Sequence, residues 1–265
     1  MKTLRLRRLF RRERVIFATL DHGFTQGPIP GLVNIRQTVE RLRQSEDLDA
    51  LILHRGTMQR CADLLRPHPE IAAVLHLNGA ESFGPYPYNK ELISSVEDAL
   101  CIGADAVSFH INLGNTHTPA LLRDLGRVSS DCMRWGMPLL VMVVVQGGSV
   151  ESDDISAQCT AARIAMEVGA DAVKIQHPGS EQALAKVISG VNIPVLVAGG
   201  PFDTDEGRVL AAMHEAVNAG ATGFAIGRNL FGRPEPRAMA AALAALLRQG
   251  VTTDRAMAIL KEATL

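Results

Sequence analysis

A lysine lies inside a short apolar run, Ala170-Asp171-Ala172-Val173-Lys174-Ile175, that reads as a buried strand. The chain has five lysines against twenty-two arginines, and only Lys174 falls in a strand-like segment. Taking an ammonium out of water is costly, so a buried lysine tends to shed its proton. The neutral amine is a nucleophile that condenses with a carbonyl to form a Schiff base. A lysine paired with a buried carboxylate is the plainer alternative, and the surroundings favour the nucleophile. Asp21 closes another apolar strand. A carboxylate beside a neutral amine can take a proton from a substrate hydroxyl or polarise a carbinolamine. Asp21 also fits a helix cap or half of a buried ion pair.

Two glycine turns add a second chemistry. Gly199-Gly200-Pro201 and Gly227-Arg228-Asn229 each follow an apolar run near the end of the chain. Glycines let backbone N–H groups approach an anion, a following helix start favours its charge, and Arg228 can pair with it. The pair reads as a phosphate site; two tight turns with structural glycines are the alternative. His22, His54, His76 and His110 end the first four runs. No H-x-H or H-E-x-x-H spacing is present, so no metal is expected and each reads first as a polar core residue. His22, His110 and His177 are also candidate proton shuttles. The loop 26–31 (QGPIPG) either shapes the mouth of a site or is a rigid connection. Tyr86 and Tyr88 lie in a loop that could reach substrate, and Trp135 reads as packing only.

These residues sit at the ends of a regular series of elements. Apolar runs occur at 15–20, 50–53, 73–77, 106–111, 138–145, 172–175, 195–198 and 223–226. Between them lie helical patterns at 35–45, 58–65, 90–101, 119–134, 154–168, 181–188, 205–218 and 236–248. Continuous apolar strands separated by helices imply a parallel sheet covered on both faces. Gly103-Ala104-Asp105, Gly169-Ala170-Asp171 and Gly220-Ala221-Thr222 each end a helix and open a strand. Eight such units predict an α/β fold, a (β/α)8 barrel, as one domain over 1–265. An open doubly wound sheet is the alternative. The arginine-rich start is expected to be a covering helix over 1–14, and 252–265 an extra helix on the barrel or a neighbouring subunit. In such a barrel, groups at the carboxyl ends of strands do the chemistry.

Composition narrows the classes. Apolar residues make up 47%, enough for a large core, and the net charge of −1 gives no support for a nucleic-acid surface. No secretory region and no apolar run of about 18 residues is seen, so no membrane span is expected. Cys61, Cys101, Cys132 and Cys159 fall in predicted helices without a C-x-x-C pair, which suits reduced thiols in the cytoplasm.

The motifs Asp21-His22-Gly23, Gln26-Gly27-Pro28, Gly31-Leu32, Gly103-Ala104-Asp105-Ala106-Val107, Gly136-Met137-Pro138, Val173-Lys174, Ala198-Gly199-Gly200-Pro201 and Gly227-Arg228-Asn229-Leu230-Phe231 resemble one family along nearly the whole chain. It is the archaeal-type class I fructose-bisphosphate aldolase family, which includes 2-amino-3,7-dideoxy-D-threo-hept-6-ulosonate synthase and the autoinducer-2 phosphate thiolase. The resemblance implies a Schiff-base aldolase acting on a small phosphorylated carbonyl compound such as dihydroxyacetone phosphate, with no cofactor. It implies Lys174 as the Schiff-base lysine, Asp21 as the acid–base group, and Gly200, Gly227 and Arg228 at the phosphate. It also implies a homo-oligomer, a pentamer or decamer. One position departs. Aldolase members usually carry a tyrosine for proton transfer where Val144 stands or beside it. His177, Tyr86 or a water then has to move that proton, or the reaction differs. The thiolase member also lacks the tyrosine, so coenzyme A as co-substrate is a second reading. A non-catalytic phosphosugar-binding barrel and a metal-dependent lyase are the others.

Overall fold

The computed structural model describes residues 1–65, 70–86, 89–147, 150–151 and 154–264. The chain opens with α1 (Lys2–Leu9), β1 (Val15–Thr19), α2 (His22–Gln26), α3 (Ile35–Arg43) and β2 (Ala50–Leu53). It continues through α4 (Arg55–Arg60), α5 (Ala62–Leu65), β3 (Ala72–His76) and an antiparallel ribbon of β4 (Asn78–Gly79) and β5 (Glu91–Leu92). Then come α6 (Val96–Cys101), β6 (Ala106–Leu113), α7 (Thr118–Trp135), β7 (Leu139–Val145), α8 (Ile155–Val168), β8 (Ala172–Ile175), α9 (Glu181–Ser189) and β9 (Val195–Ala198). The last elements are α10 (Glu206–Asn218), β10 (Gly223–Ile226), α11 (Arg228–Phe231), α12 (Pro236–Ala244), a π-helical turn over Ala245–Gln249, and α13 (Thr253–Glu262).

Eight strands close into a parallel barrel in the order β1-β10-β9-β8-β7-β6-β3-β2. This is the (β/α)8 barrel that the alternation of apolar runs and helices predicts. The strands alternate faces because successive side chains point opposite ways. One set, including Val15, Phe17, Ala50, Ile52, Val74 and Leu196, fills the barrel. The other set, including Ile16, Ala18, Leu51, Val107 and Val173, packs under the surrounding helices. Both faces are covered, which is why the strands read as unbroken apolar runs rather than alternating ones.

The amino end of the barrel is sealed by ion pairs. Asp49 stands just before β2, and its Oδ2 accepts from the backbone N–H of Ile16 on β1 at 2.8 Å. Asp105 does the same for Ala73 at 2.9 Å, and Asp171 for Leu139 at 2.8 Å. Thr222 takes the corresponding place before β10, its Oγ1 accepting from Val195 at 3.3 Å. Each residue thus ties the foot of its own strand to the foot of a neighbour. The basic arm lies across them. Arg12 and Arg248 meet Asp49 at 2.9 and 2.6 Å, Arg8 meets Asp105 at 3.1 Å, and Lys2 meets Asp171 at 2.8 Å. Leu9, 1% exposed, packs on the interior cluster from below.

Several expected elements differ. The covering helix ends at Leu9 rather than residue 14, because Phe10 leaves helical geometry (φ −112°, ψ 52°) and Arg11 and Arg12 turn onto Asp49. The pattern at 58–65 is two short helices, with Cys61 at their junction rather than in a helix. The pattern at 236–248 passes into the π turn. The tail helix runs over Thr253–Glu262, capped by Thr252, and packs on α10 and α12 of its own barrel. The largest change is at 90–101. The helix starts only at Val96, behind a capping box in which Ser95 and Asp98 exchange hydrogen bonds. Residues 91–92 instead form β5.

Candidate active site

The inward positions of the strands change character as they reach the carboxyl end. On β1 the inward series is Val15, Phe17, Thr19 and then Asp21. On β2 and β3 it ends at His54 and His76, on β6 at His110 and Asn112, and on β8 Lys174 follows Ala172. Period-two alternation therefore carries each polar side chain into the barrel mouth, directly above the apolar interior. The mouth is a cavity of about 1050 Å³ whose lining includes Asp21, Lys174, Lys90 and Arg228.

Lys174 sits in register beside Met142 on one side and Leu196 on the other. Its amine has no hydrogen-bond or ion-pair partner among the described residues. Burial pushes its pKa down, the nearby charges of Arg228 and Lys90 push the same way, and Asp21 opposes them. Asp21 is 17% exposed and follows β1 directly. Burial alone would raise its carboxyl; His76, His22, Lys174 and His54 together override this and hold it well below the ordinary carboxylate range. The carboxylate is thus ionised opposite an amine that loses its proton readily. Oδ2 lies 3.8 Å from Nε2 of His76, and Oδ1 lies 3.7 Å from Nδ1 of His22.

The histidines divide. Burial pushes His76 down to about 3, with Asp21 opposing, and its Nδ1 meets Ser108 Oγ at 2.8 Å. His54 stacks edge-on against it, ring centroids 5.1 Å apart. These two form a neutral polar wall behind Asp21 and do not line the cavity. His22 and His110 do line it. Burial lowers the pKa of both, His110 the further, and His110 Nε2 meets Asn112 Oδ1 at 3.0 Å. His177 lines the cavity too, with Nε2 3.2 Å from Glu215 and Nδ1 accepting from the Gly179 N–H. Among the described residues no three His, Cys, Asp or Glu side chains converge as a metal donor set.

The two glycine turns come together above β9 and β10. Gly200 has φ +73°, a conformation that disfavours any side chain. A Cβ on Gly227 would stand 2.5 Å from His22 Cε1 and 2.7 Å from Thr19 Oγ1. Only glycine fits there. Arg228 Nη2 donates to the Gly200 carbonyl at 3.2 Å. Asn229, 1% exposed, fastens one turn to the other: its Nδ2 donates to the carbonyls of Gly199 at 2.7 Å and Pro201 at 2.6 Å.

The family model for DeoC/LacD aldolases matches residues 15–233. The chain belongs to the DeoC/LacD aldolase family. Within it, the chain is 36% identical over 264 residues to 2-amino-4,5-dihydroxy-6-oxo-7-(phosphonooxy)heptanoate synthase of Streptomyces griseus, covering 97% of this chain and 94% of the relative. It is 35% identical to 2-amino-3,7-dideoxy-D-threo-hept-6-ulosonate synthase of Halobacterium salinarum, covering 97% and 95%. A solved archaeal fructose-1,6-bisphosphate aldolase, with its catalytic lysine bound to the carbinolamine intermediate, superposes with a TM-score of 0.85 at 30% identity over 93% of this chain and 99% of its own. Membership makes the protein an enzyme of the class I aldolase type, a lyase class that works through a lysine Schiff base and needs no cofactor.

The site differs from the sequence reading in a few residues. Val144, at or beside the position for which the resemblance implies a tyrosine, lines the cavity with an aliphatic side chain. Tyr86 is 67% exposed and does not line it. Tyr88 lies outside the described residues. Trp135 does more than pack, its Nε1 donating to Glu97 at 2.8 Å. Asn112, at the carboxyl end of its apolar run beside His110, lines the cavity as a strand-end residue should, whereas Thr19 and above all Lys90 line it without a sequence signal that places them there. The helical pattern at 90–101 takes in Lys90, but the helix itself begins at Val96. Ser95 three residues ahead of Asp98 was the signal that the helix starts later.

Proposed function

We propose that the chain joins or cleaves a phosphorylated ketone and an aldehyde through a Schiff base on Lys174. The observation that carries this reading is the Lys174 amine, without a hydrogen-bond or ion-pair partner among the described residues, in a cavity also lined by Asp21 and the two glycine turns. The Lys174 nitrogen attacks the ketone carbon and forms a carbinolamine. Loss of water leaves an iminium, which acts as the electron sink. Removal of a proton from the neighbouring carbon gives an enamine. That carbon bonds to the aldehyde, whose oxygen takes up a proton, and water then releases the product and the free lysine. Asp21 relays the protons of carbinolamine formation and breakdown. Gly199, Gly200, Gly227 and Arg228 hold the phosphate, their N–H groups and guanidinium supplying positive potential. The Streptomyces relative's name describes a product with a ketone next to a phosphorylated carbon, and that end fits a donor such as dihydroxyacetone phosphate.

The test is loss of activity on borohydride treatment with dihydroxyacetone phosphate compared with dihydroxyacetone. Rapid inactivation by the phosphorylated ketone and much slower inactivation by the other is the expected result. Inactivation by neither would reject the Schiff base, and equal inactivation would reject the phosphate site. Val144 favours a second reading, acyl transfer from a phosphorylated diketone to coenzyme A, since it puts an aliphatic side chain at or beside the position where the resemblance implies a proton-transferring tyrosine. Turnover that requires coenzyme A would establish that reading in place of the first.

A further inference from the structure

Lys90 is the cation at the mouth that the reading above leaves without a role. It directly precedes β5 and lines the cavity, whose lining also includes Ser82, His110 and Asn112. The ribbon that carries it is firmly held. Asn78 on β4 and His110 on β6 exchange two hydrogen bonds, Nδ2 to the His110 carbonyl at 2.8 Å and the His110 N–H to Oδ1 at 2.9 Å. The N–H groups of Ile93 and Ser94 both donate to the Leu77 carbonyl, at 2.8 and 3.1 Å. Glu91 reaches His117 at 3.3 Å. Among the described residues Lys90 has no hydrogen bond and no ion pair. Burial lowers its pKa, with Asp21 opposing. A cation held in place on an anchored ribbon, and given no protein partner, is arranged to receive an anion.

Its position says which anion. The barrel order places β3 and β9 four strands apart, on opposite sides of the mouth. Lys90, in the β3-to-β6 connection, therefore faces the phosphate turns from across the cavity, while Lys174 on β8 stands next to β9 on the phosphate side. A phosphorylated donor joined to Lys174 fills one side and leaves the acceptor aldehyde against the Lys90 side. Resting on the Schiff-base reading, we infer that Lys90 is the acceptor-specificity residue, and that its ammonium pairs with a carboxylate at the far end of the aldehyde. A carboxylate at that end also matches the heptanoate products that name the Streptomyces relative.

The experiment compares Lys90→Met and Lys90→Arg with the parent, using dihydroxyacetone phosphate as donor. The acceptors are succinic semialdehyde and its uncharged counterpart butanal. Lys90→Met is expected to raise KM for succinic semialdehyde about 10- to 100-fold, the worth of a charge-assisted contact, and to leave butanal within about twofold. Lys90→Arg is expected to keep most of the preference. Borohydride trapping at Lys174 with the donor alone should be unchanged in both variants. Unchanged trapping with equal losses for both acceptors, or with no change for either, would overturn the inference while leaving the Schiff base intact. Absence of trapping in the parent chain would instead reject the reading on which it rests.

Discussion

The two ends of the barrel treat charge in opposite ways. At the amino end every aspartate at a strand foot is fully engaged: Asp49, Asp105 and Asp171 each accept from a neighbouring strand and each meet a cation of the amino-terminal arm. At the carboxyl end Lys174 and Lys90 have no such partners among the described residues, and Thr19 Oγ1, Asp21 Oδ1 and Arg228 Nε are buried without hydrogen bonds. Buried polar groups are normally satisfied, and leaving them otherwise costs stability. One scaffold thus separates the two demands. Paired charge closes the fold at one end, and unpaired charge is kept ready for substrate at the other.

Substitutions at the two ends should therefore fail differently. The largest effect is expected for Lys174→Met. Without the nucleophile, kcat should fall by about 10⁴-fold or more, while circular dichroism and the melting curve stay those of a folded barrel. Asp21→Asn should lower kcat by about 10²- to 10⁴-fold, the range for a positioned acid–base group, and still permit slow trapping of the ketone. Loss of folding in either variant would break the contrast. Asp49→Ala should do the reverse. It leaves Arg12 and Arg248 without their buried partner and should cost about 3–5 kcal/mol of stability, read from urea unfolding. Its kcat per folded molecule should match the parent.

A smaller effect sharpens the comparison through pH. Burial lowers the pKa of Lys174 below its unfolded value. Between the two values the unfolded chain binds more protons than the native one, so this lysine makes stability rise with pH across that window. Below the folded pKa its full cost is present; above the unfolded value it vanishes. Lys174→Met should therefore melt higher than the parent near neutral pH, with the difference shrinking as pH approaches 10. A difference independent of pH would mean that Lys174 is not held against its charge.

The fold was largely legible because its strands are buried on both faces. The runs 50–53, 172–175, 195–198 and 223–226 have the observed bounds of β2, β8, β9 and β10. Lys174 was legible for the same reason: one ionisable residue in an otherwise apolar strand is conspicuous. Lys90 was not, because β5 has only two residues and pairs with a β4 equally short. Such a ribbon has no periodicity of its own, and its residues blend into the amphipathic pattern of α6. Asp105 and Asp171 were visible in a repeated Gly-Ala-Asp junction and Asp49 was not, since Leu48 precedes it; nothing local tells that any of the three carboxylates reaches back to another strand. Thr222 in the last such junction was the hint, since it keeps the acceptor and drops the charge.

The division of roles between the two cavity lysines can be read from a single peptide map. The protein is reduced with borohydride in the presence of dihydroxyacetone phosphate, digested, and examined by mass spectrometry for the site of the adduct. The expected result is one adduct, on the peptide carrying Lys174, with Lys90 unmodified. An adduct on Lys90, or on neither lysine, would contradict the assignment of Lys174 as the covalent amine of the site.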